Sequence, residues 1–257
     1  MAHARGLEPV GCSELAAGSL REAICCSGAR ASGGDGRERF RHLLAGAGIV
    51  LSEEEIESRV NQTELANIDV YGYGVSSFAL SLIETAIALT NGRITGAELR
   101  GIVELAKDML AEEVELFPGA RDVLTTLAAS CPLMLITKGD LLHQTSKLER
   151  SGVRDCFRFV EVVSHKTPSV YAAILARHGI EPGRFLMVGN SLRSDVLPVV
   201  EVGARAVHVP AALDWSHEHA DMPAEMKPRY FELPTLEGLA GLVEGLEQEA
   251  SASGTST

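Results

Sequence analysis

The 257-residue chain has no long apolar run, no paired-cysteine motif, few aromatic residues and a shortage of positive charge. No stretch approaches the ~18 consecutive apolar residues of a membrane span. The longest apolar candidate, "VSSFALSLIETAIALT" (75–90), is broken by Ser76, Ser77, Ser81, Glu84 and Thr85. The first twenty residues never build a continuous apolar core, so no secretory leader is expected. Five cysteines at 12, 25, 26, 131 and 156 form no C-x-x-C pair, and an odd, irregular set reads as reduced thiols in a cytoplasmic protein. Lys and Arg number 23 against 35 Asp and Glu, a formal charge of −12 that repels phosphate backbones and argues against nucleic acid as a partner. A small anionic substrate stays possible, because a local lysine or arginine outweighs distant charge. No G-x-G-x-x-G joins a strand to a helix, which excludes a dinucleotide-binding turn. With aromatics at only 5%, aliphatic side chains must fill the core.

Three regions and a tail divide what is present. Residues 1–36 are rich in Gly, Ala, Ser and Cys without sustained periodicity, and are expected to be irregular; "SGARASGGDG" (27–36) reads as a flexible arm. Residues 37–117 are expected to be helical. "RERFRHLLAGAG" puts Phe40, Leu43 and Leu44 on one face before Gly46 and Gly48. Ser52 with Glu55, and Thr95 with Glu98, are capping-box spacings that open two helices. Leu99, Ile102, Val103 and Leu110 give the second its apolar face. Four helices on short turns predict a small bundle.

From 118 to 246 the pattern alternates. Apolar runs at 132–137, 157–164, 184–189 and 204–210 are separated by helical segments that close at Gly152, Gly179 and Gly203. Such alternation predicts βαβ units, a parallel sheet and an α/β fold. Residues 247–257 read as a solvated, disordered tail.

In a parallel sheet the strand ends converge, and ligands bind beyond them. One end offers Thr137, Lys138, Gly139 and Asp140; the next Ser164, His165 and Lys166; the third Gly189, Asn190, Ser191 and Asp195. A hydroxyl and backbone N–H groups can donate to phosphoryl oxygens, a lysine can neutralise charge, and a carboxylate can hold Mg²⁺.

These residues carry a resemblance. "LITKGD", Lys166 in "SHKTP" and "VGNSLRSD", in that order and on those elements, resemble the second, third and fourth motifs of the haloacid dehalogenase (HAD)-like hydrolase superfamily. The helical segment 37–117 is similar to the cap these enzymes insert after their first strand. The resemblance implies a Rossmannoid parallel-sheet core, a helical cap, and Mg²⁺-dependent hydrolysis of a small phosphorylated metabolite. It implies catalytic roles for Thr137 and Lys166, substrate contacts from Thr137, Lys138, Gly139 and Lys166, and Mg²⁺ ligation by Asn190 and Asp195. Asn190 departs from the commoner Asp and would coordinate without charge.

The family's first motif, D-x-D at the end of the first strand, has no match anywhere in the chain. The acids before Arg37 are Glu8, Glu14, Glu22 and Asp35, and "AICCS" (23–27) is the nearest strand-like run. The central strand is therefore expected to be absent or replaced, and the chain to be inactive for want of the Asp nucleophile. Either residues 1–36 are foreign to the fold through a frame or start error, or the chain is a non-catalytic protein that binds a phosphorylated ligand. Elsewhere, His165 reads as a solvated neighbour of Lys166, and "HEH" (217–219) with Asp214 and Asp221 as loop polarity. Trp215 reads as a packing residue, and "YGYGV" (71–75) as either a helix–helix turn or a cap residue facing the site.

Overall fold

The computed structural model describes residues 14–17, 28–114, 116–210 and 223–253. "AICCS", "HEH", Asp214, Trp215 and Asp221 lie outside them.

Six parallel strands form one sheet in the order β3-β2-β1-β4-β5-β6. They are β1 (Glu14–Ala17), β2 (Leu133–Lys138), β3 (Phe157–Val163), β4 (Phe185–Gly189), β5 (Arg205–His208) and β6 (Tyr230–Glu232). Side-chain alternation assigns β2 and β4 to two cores at once. Leu133 and Leu135 of β2 and Leu186 and Val188 of β4 join one cluster; Met134 and Ile136, with Phe185 and Met187, join the other. The first cluster is closed by α5 (Ala120–Ser130), α6 (Leu141–Ser151) and α9 (Leu239–Ser253), through Leu124, Leu148 and Val243. The second is closed by α7 (Pro168–His178) and α8 (Leu197–Glu201), through Tyr171, Ile174 and Val199.

The central strand is replaced rather than absent. Leu15 aligns with Leu133 on one side and Leu186 on the other, and Ala17 with Leu135 and Val188. "ELAA" has weak strand propensity, but a strand paired on both edges is held by main-chain hydrogen bonds whatever its side chains. That is why composition did not mark it.

The remaining helices are α1 (Gly28–Gly46), α2 (Glu53–Tyr71), α3 (Val75–Leu89) and α4 (Gly96–Ala111). Together they bury Phe40, Leu44, Ile56, Val60, Leu82 and Ile102 in a third, separate core. Both capping boxes are formed, by Ser52 with Glu55 and by Thr95 with Glu98.

Three expectations need correction. Helix α1 begins at Gly28, so it crosses the boundary expected at 36/37. On α4 the buried pair is Ile102 and Leu105, while Val103 and Leu110 are exposed, because the stripe facing α1 and α3 is narrower than the apolar pattern. Helix α9 runs to Ser253, past the expected tail boundary, since Leu239, Val243 and Leu246 anchor one face and helix-forming residues extend it.

Candidate functional site

The bond-rich part of the site is the turn after β4. Asp195 and Lys166 have side chains only 1% exposed, and Lys166 Nζ donates to Asp195 Oδ1 at 2.5 Å. The Ser191 N–H donates to the other carboxylate oxygen, Oδ2, at 3.2 Å. Asp195 can sit there only because β4 ends in glycine: a Cβ on Gly189 would lie 2.3 Å from Oδ2. The turn is wound with Asp195 N and Val196 N both donating to Ser191 O, at 2.8 and 3.2 Å, and Ser194 N donating to Ser191 Oγ at 2.8 Å. Tyr171, buried on α7, fixes it from below by donating its hydroxyl to Ser194 O at 3.0 Å. From the side, His208 at the end of β5 lies 2.7 Å from Asn190 O through Nε2, which must carry the proton because a carbonyl only accepts.

Strand β2 contributes a contrasting pair. Thr137 is fully buried and donates its hydroxyl to Gln144 Oε1 at 3.1 Å, one turn into α6. Gly139 follows with φ at +135°, a conformation that favours glycine, and a Cβ there would come within 3.0 Å of the Gln144 amide. Between them Lys138 projects outward. Its Nζ donates to Ser194 Oγ at 2.9 Å and sits 4.3 Å from the centroid of the Tyr73 ring. Tyr73 lies in the turn between α2 and α3 and also meets His165 edge-on, with centroids 6.1 Å apart. Of the two readings of "YGYGV", the structure therefore places Tyr73 toward the strand ends.

Between helix α2 and these strand ends lies a cleft of about 530 Å³. Lys138, Lys166 and His165 line it with Tyr73, Arg193 and Ser194. Thr137, Gly139, Asn190 and Asp195 are not among its lining residues: the first two pack against Gln144, and Asp195 lies behind Lys166. The strand ends thus bring the sequence-derived residues together, but of the six assigned to catalysis, substrate or metal only the two lysines line the cleft.

The Mg²⁺ implied by the resemblance was tested against this donor set. Mg²⁺ requires close to six oxygen ligands, usually with one or two carboxylates among them. Asp195 supplies one carboxylate, and its two oxygens are engaged by Lys166 and Ser191. Among the described residues no group of three His, Cys, Asp or Glu converges anywhere. The described residues alone do not fit a Mg²⁺ ion.

Gln144, Ser194 and Tyr171 were not assigned from the sequence. Ser194 had a local signal, since it precedes Asp195 in the polar turn. Tyr171 and Gln144 had none, because each acts across the fold on a residue 23 and 7 positions away.

Comparison with known proteins agrees with this geometry. The family model for haloacid dehalogenase-like hydrolases matches residues 14–203, starting at the first residue of β1. N-acylneuraminate-9-phosphatase of Homo sapiens is 26% identical over 194 residues, covering 71% of this chain and 74% of that protein. Pyrimidine 5'-nucleotidase YjjG of Escherichia coli K12 is 26% identical over 158 residues, covering 57% and 68%. Among solved structures, a haloacid dehalogenase-like family hydrolase from Xanthomonas campestris superposes with a TM-score of 0.80 at 32% identity, over 95% of each chain.

Proposed function

The chain belongs to the haloacid dehalogenase-like hydrolase family, and we propose that its cleft binds the phosphate of a small phosphorylated metabolite without hydrolysing it appreciably. The observation that carries the binding half is the convergence of Lys138 and Lys166, from two different strand ends, on one cleft under the helical cap. Lys138 is the outward charge. Its hydrogen bond to Ser194 Oγ holds the ammonium at the mouth of the turn, where a phosphoryl oxygen could replace either partner. Lys166 lies deeper and already neutralises Asp195, so it adds hydrogen-bonding capacity more than net charge. The relatives named as a phosphatase and a nucleotidase support a phosphate ester as the ligand class.

The non-hydrolytic half rests on the chemistry the fold family would need. An aspartyl-phosphate route requires an Asp to attack phosphorus and a second acid to protonate the leaving group. No D-x-D occurs in the sequence, and Gly18, Ser19, Leu20 and Arg21 are the residues that follow β1. Asp195 cannot substitute, because it is buried behind Lys166 and does not line the cleft. No step through Mg²⁺ is included.

An assay with p-nitrophenyl phosphate and added Mg²⁺ tests this directly, beside calorimetry with a panel of phosphorylated metabolites. The expected result is binding of at least one metabolite with turnover at the buffer rate. Turnover abolished by Asp195→Ala would overturn the non-hydrolytic reading, and silence across the calorimetric panel would overturn the phosphate reading.

A further inference from the structure

The cleft carries two carboxylates that the phosphate reading does not use. Asp69 enters it from cap helix α2, two residues before that helix ends at Tyr71 and one turn after Leu65, on the same stripe. Glu201 enters from the other wall, at the end of α8. Both are exposed, and neither makes an ion pair or hydrogen bond among the described residues. Lys138, a cation lining the same cleft, is engaged instead with Ser194 and the Tyr73 ring.

An unneutralised carboxylate beside a bound phosphate dianion repels it. A pocket adapted to a purely anionic ligand gains by losing such groups. The formal charges lining this cleft balance: Lys166 cancels against Asp195 behind it, leaving Lys138 and Arg193 against Asp69 and Glu201. A balanced lining, basic at the strand ends and acidic on helix α2 and at the end of α8, complements a ligand that carries charges of both signs.

Building on the phosphate reading, we propose that the ligand is a phosphate monoester that also carries a cationic amino group. Its phosphate lies at Lys138 and its ammonium at Asp69, with Glu201 as the second acidic contact. Leu65, one turn before Asp69 on α2, and Tyr73, in the turn after that helix, line the cleft beside Asp69 and cover the carbon skeleton between the two ends.

Matched probes test this: ω-aminoalkyl phosphates of increasing chain length against the corresponding ω-hydroxyalkyl phosphates, titrated calorimetrically into the full chain in competition with inorganic phosphate. At the chain length that spans the cleft, the amine should bind roughly three- to fivefold tighter than the alcohol, the scale of one partly exposed ion pair. Asp69→Asn, a neutral isostere on an exposed helix position, should bring the two to parity while leaving the alcohol no weaker. Equal binding of amine and alcohol at every length would overturn the amino-group proposal and leave the phosphate reading standing. Equal weakening of both by Asp69→Asn would overturn it too, because Asp69 would then act on the protein's own cations. If no probe binds and inorganic phosphate is silent as well, the phosphate reading fails and the proposal fails with it.

Discussion

Removing Lys166 should expose how much of the core depends on one buried ion pair. At 2.5 Å and an effective dielectric of 20, the direct attraction between Lys166 and Asp195 is about 7 kcal/mol. Burial of both groups, each 1% exposed, cancels much of that, at several kcal/mol of lost hydration per ion. The net worth of the pair is therefore small, but the cost of splitting it is not. Lys166→Met removes the attraction and leaves Asp195 dehydrated behind the cleft, with the Ser191 N–H as its remaining donor among the described hydrogen bonds. The expected loss is about 3–5 kcal/mol, which at about 2–4 °C per kcal/mol for a chain of this size lowers Tm by roughly 6–20 °C. Asp195→Asn alone strands Lys166 in the same way. The double variant Lys166→Met/Asp195→Asn should recover part of both losses, because no buried charge then remains. Urea and thermal unfolding followed by circular dichroism close the cycle. A Lys166→Met loss under about 1 kcal/mol, or losses that add within about 0.5 kcal/mol, would refute the claim that the two charges depend on each other.

Other consequences follow from neighbouring geometry. Gly189→Ala pushes a methyl into the Asp195 carboxylate, 2.3 Å away, and should destabilise by about 1–3 kcal/mol in the same unfolding assay; a neutral outcome would mean the turn can shift as a body. The Tyr230 phenol is pushed up to about 12 by burial first, then by its hydrogen bond to Glu232 and that residue's charge. Because the raised value belongs to the folded state, the stabilisation is fully present below the ordinary value of 10 and is lost as pH rises toward 12. Ultraviolet titration of the phenolates should show Tyr230 titrating late, and Glu232→Gln should bring it earlier. At the head of α2, the Ser52 backbone N–H and then its hydroxyl hold the Glu55 carboxyl below its usual range. That capping contribution is present above the usual carboxylate range and fades as pH falls through the lowered value. Ser52→Ala should raise the Glu55 titration seen by NMR only part of the way, since the backbone donor survives; a full return would assign the effect to the hydroxyl alone.

The parts of the fold legible in the sequence are those fixed by local pattern. Alternating Leu133–Ile136 and the Gly152 and Gly179 stops marked β2, α6 and α7 because burial on two faces and left-handed helix ends leave a sequence trace. The capping boxes at Ser52 and Thr95 did the same for α2 and α4. Strand β1 left no trace, since its pairing is supplied by β2 and β4. In the site, Lys166 and Asp195 were legible as strand-end residues, but their mutual bond across 29 positions was not. Nor could the sequence show that Thr137 would be spent on Gln144, because a hydroxyl at a strand end reads the same whether it faces ligand or core.

That separation between scaffold and chemistry lets a family fold form whatever residues follow its first strand. The sheet asks of β1 only main-chain donors and acceptors in register with Leu133–Leu135 and Phe185–Val188, and four residues supply them. An aspartyl-phosphate route asks for carboxylates just beyond it, and the sequence offers none between Ala17 and Glu22. A lysine placed among several carboxylates would divide its charge among them. With Asp195 as its one carboxylate partner among the described residues, Lys166 closes on it, and the pair is buried. On this reading the charge left to recruit a phosphate belongs to Lys138 and Arg193, so Lys138→Met should weaken phosphate-ester binding with little change in stability, the reverse of Lys166→Met. A Lys138→Met protein that unfolds early yet binds its metabolite as tightly as before would reverse the two assignments.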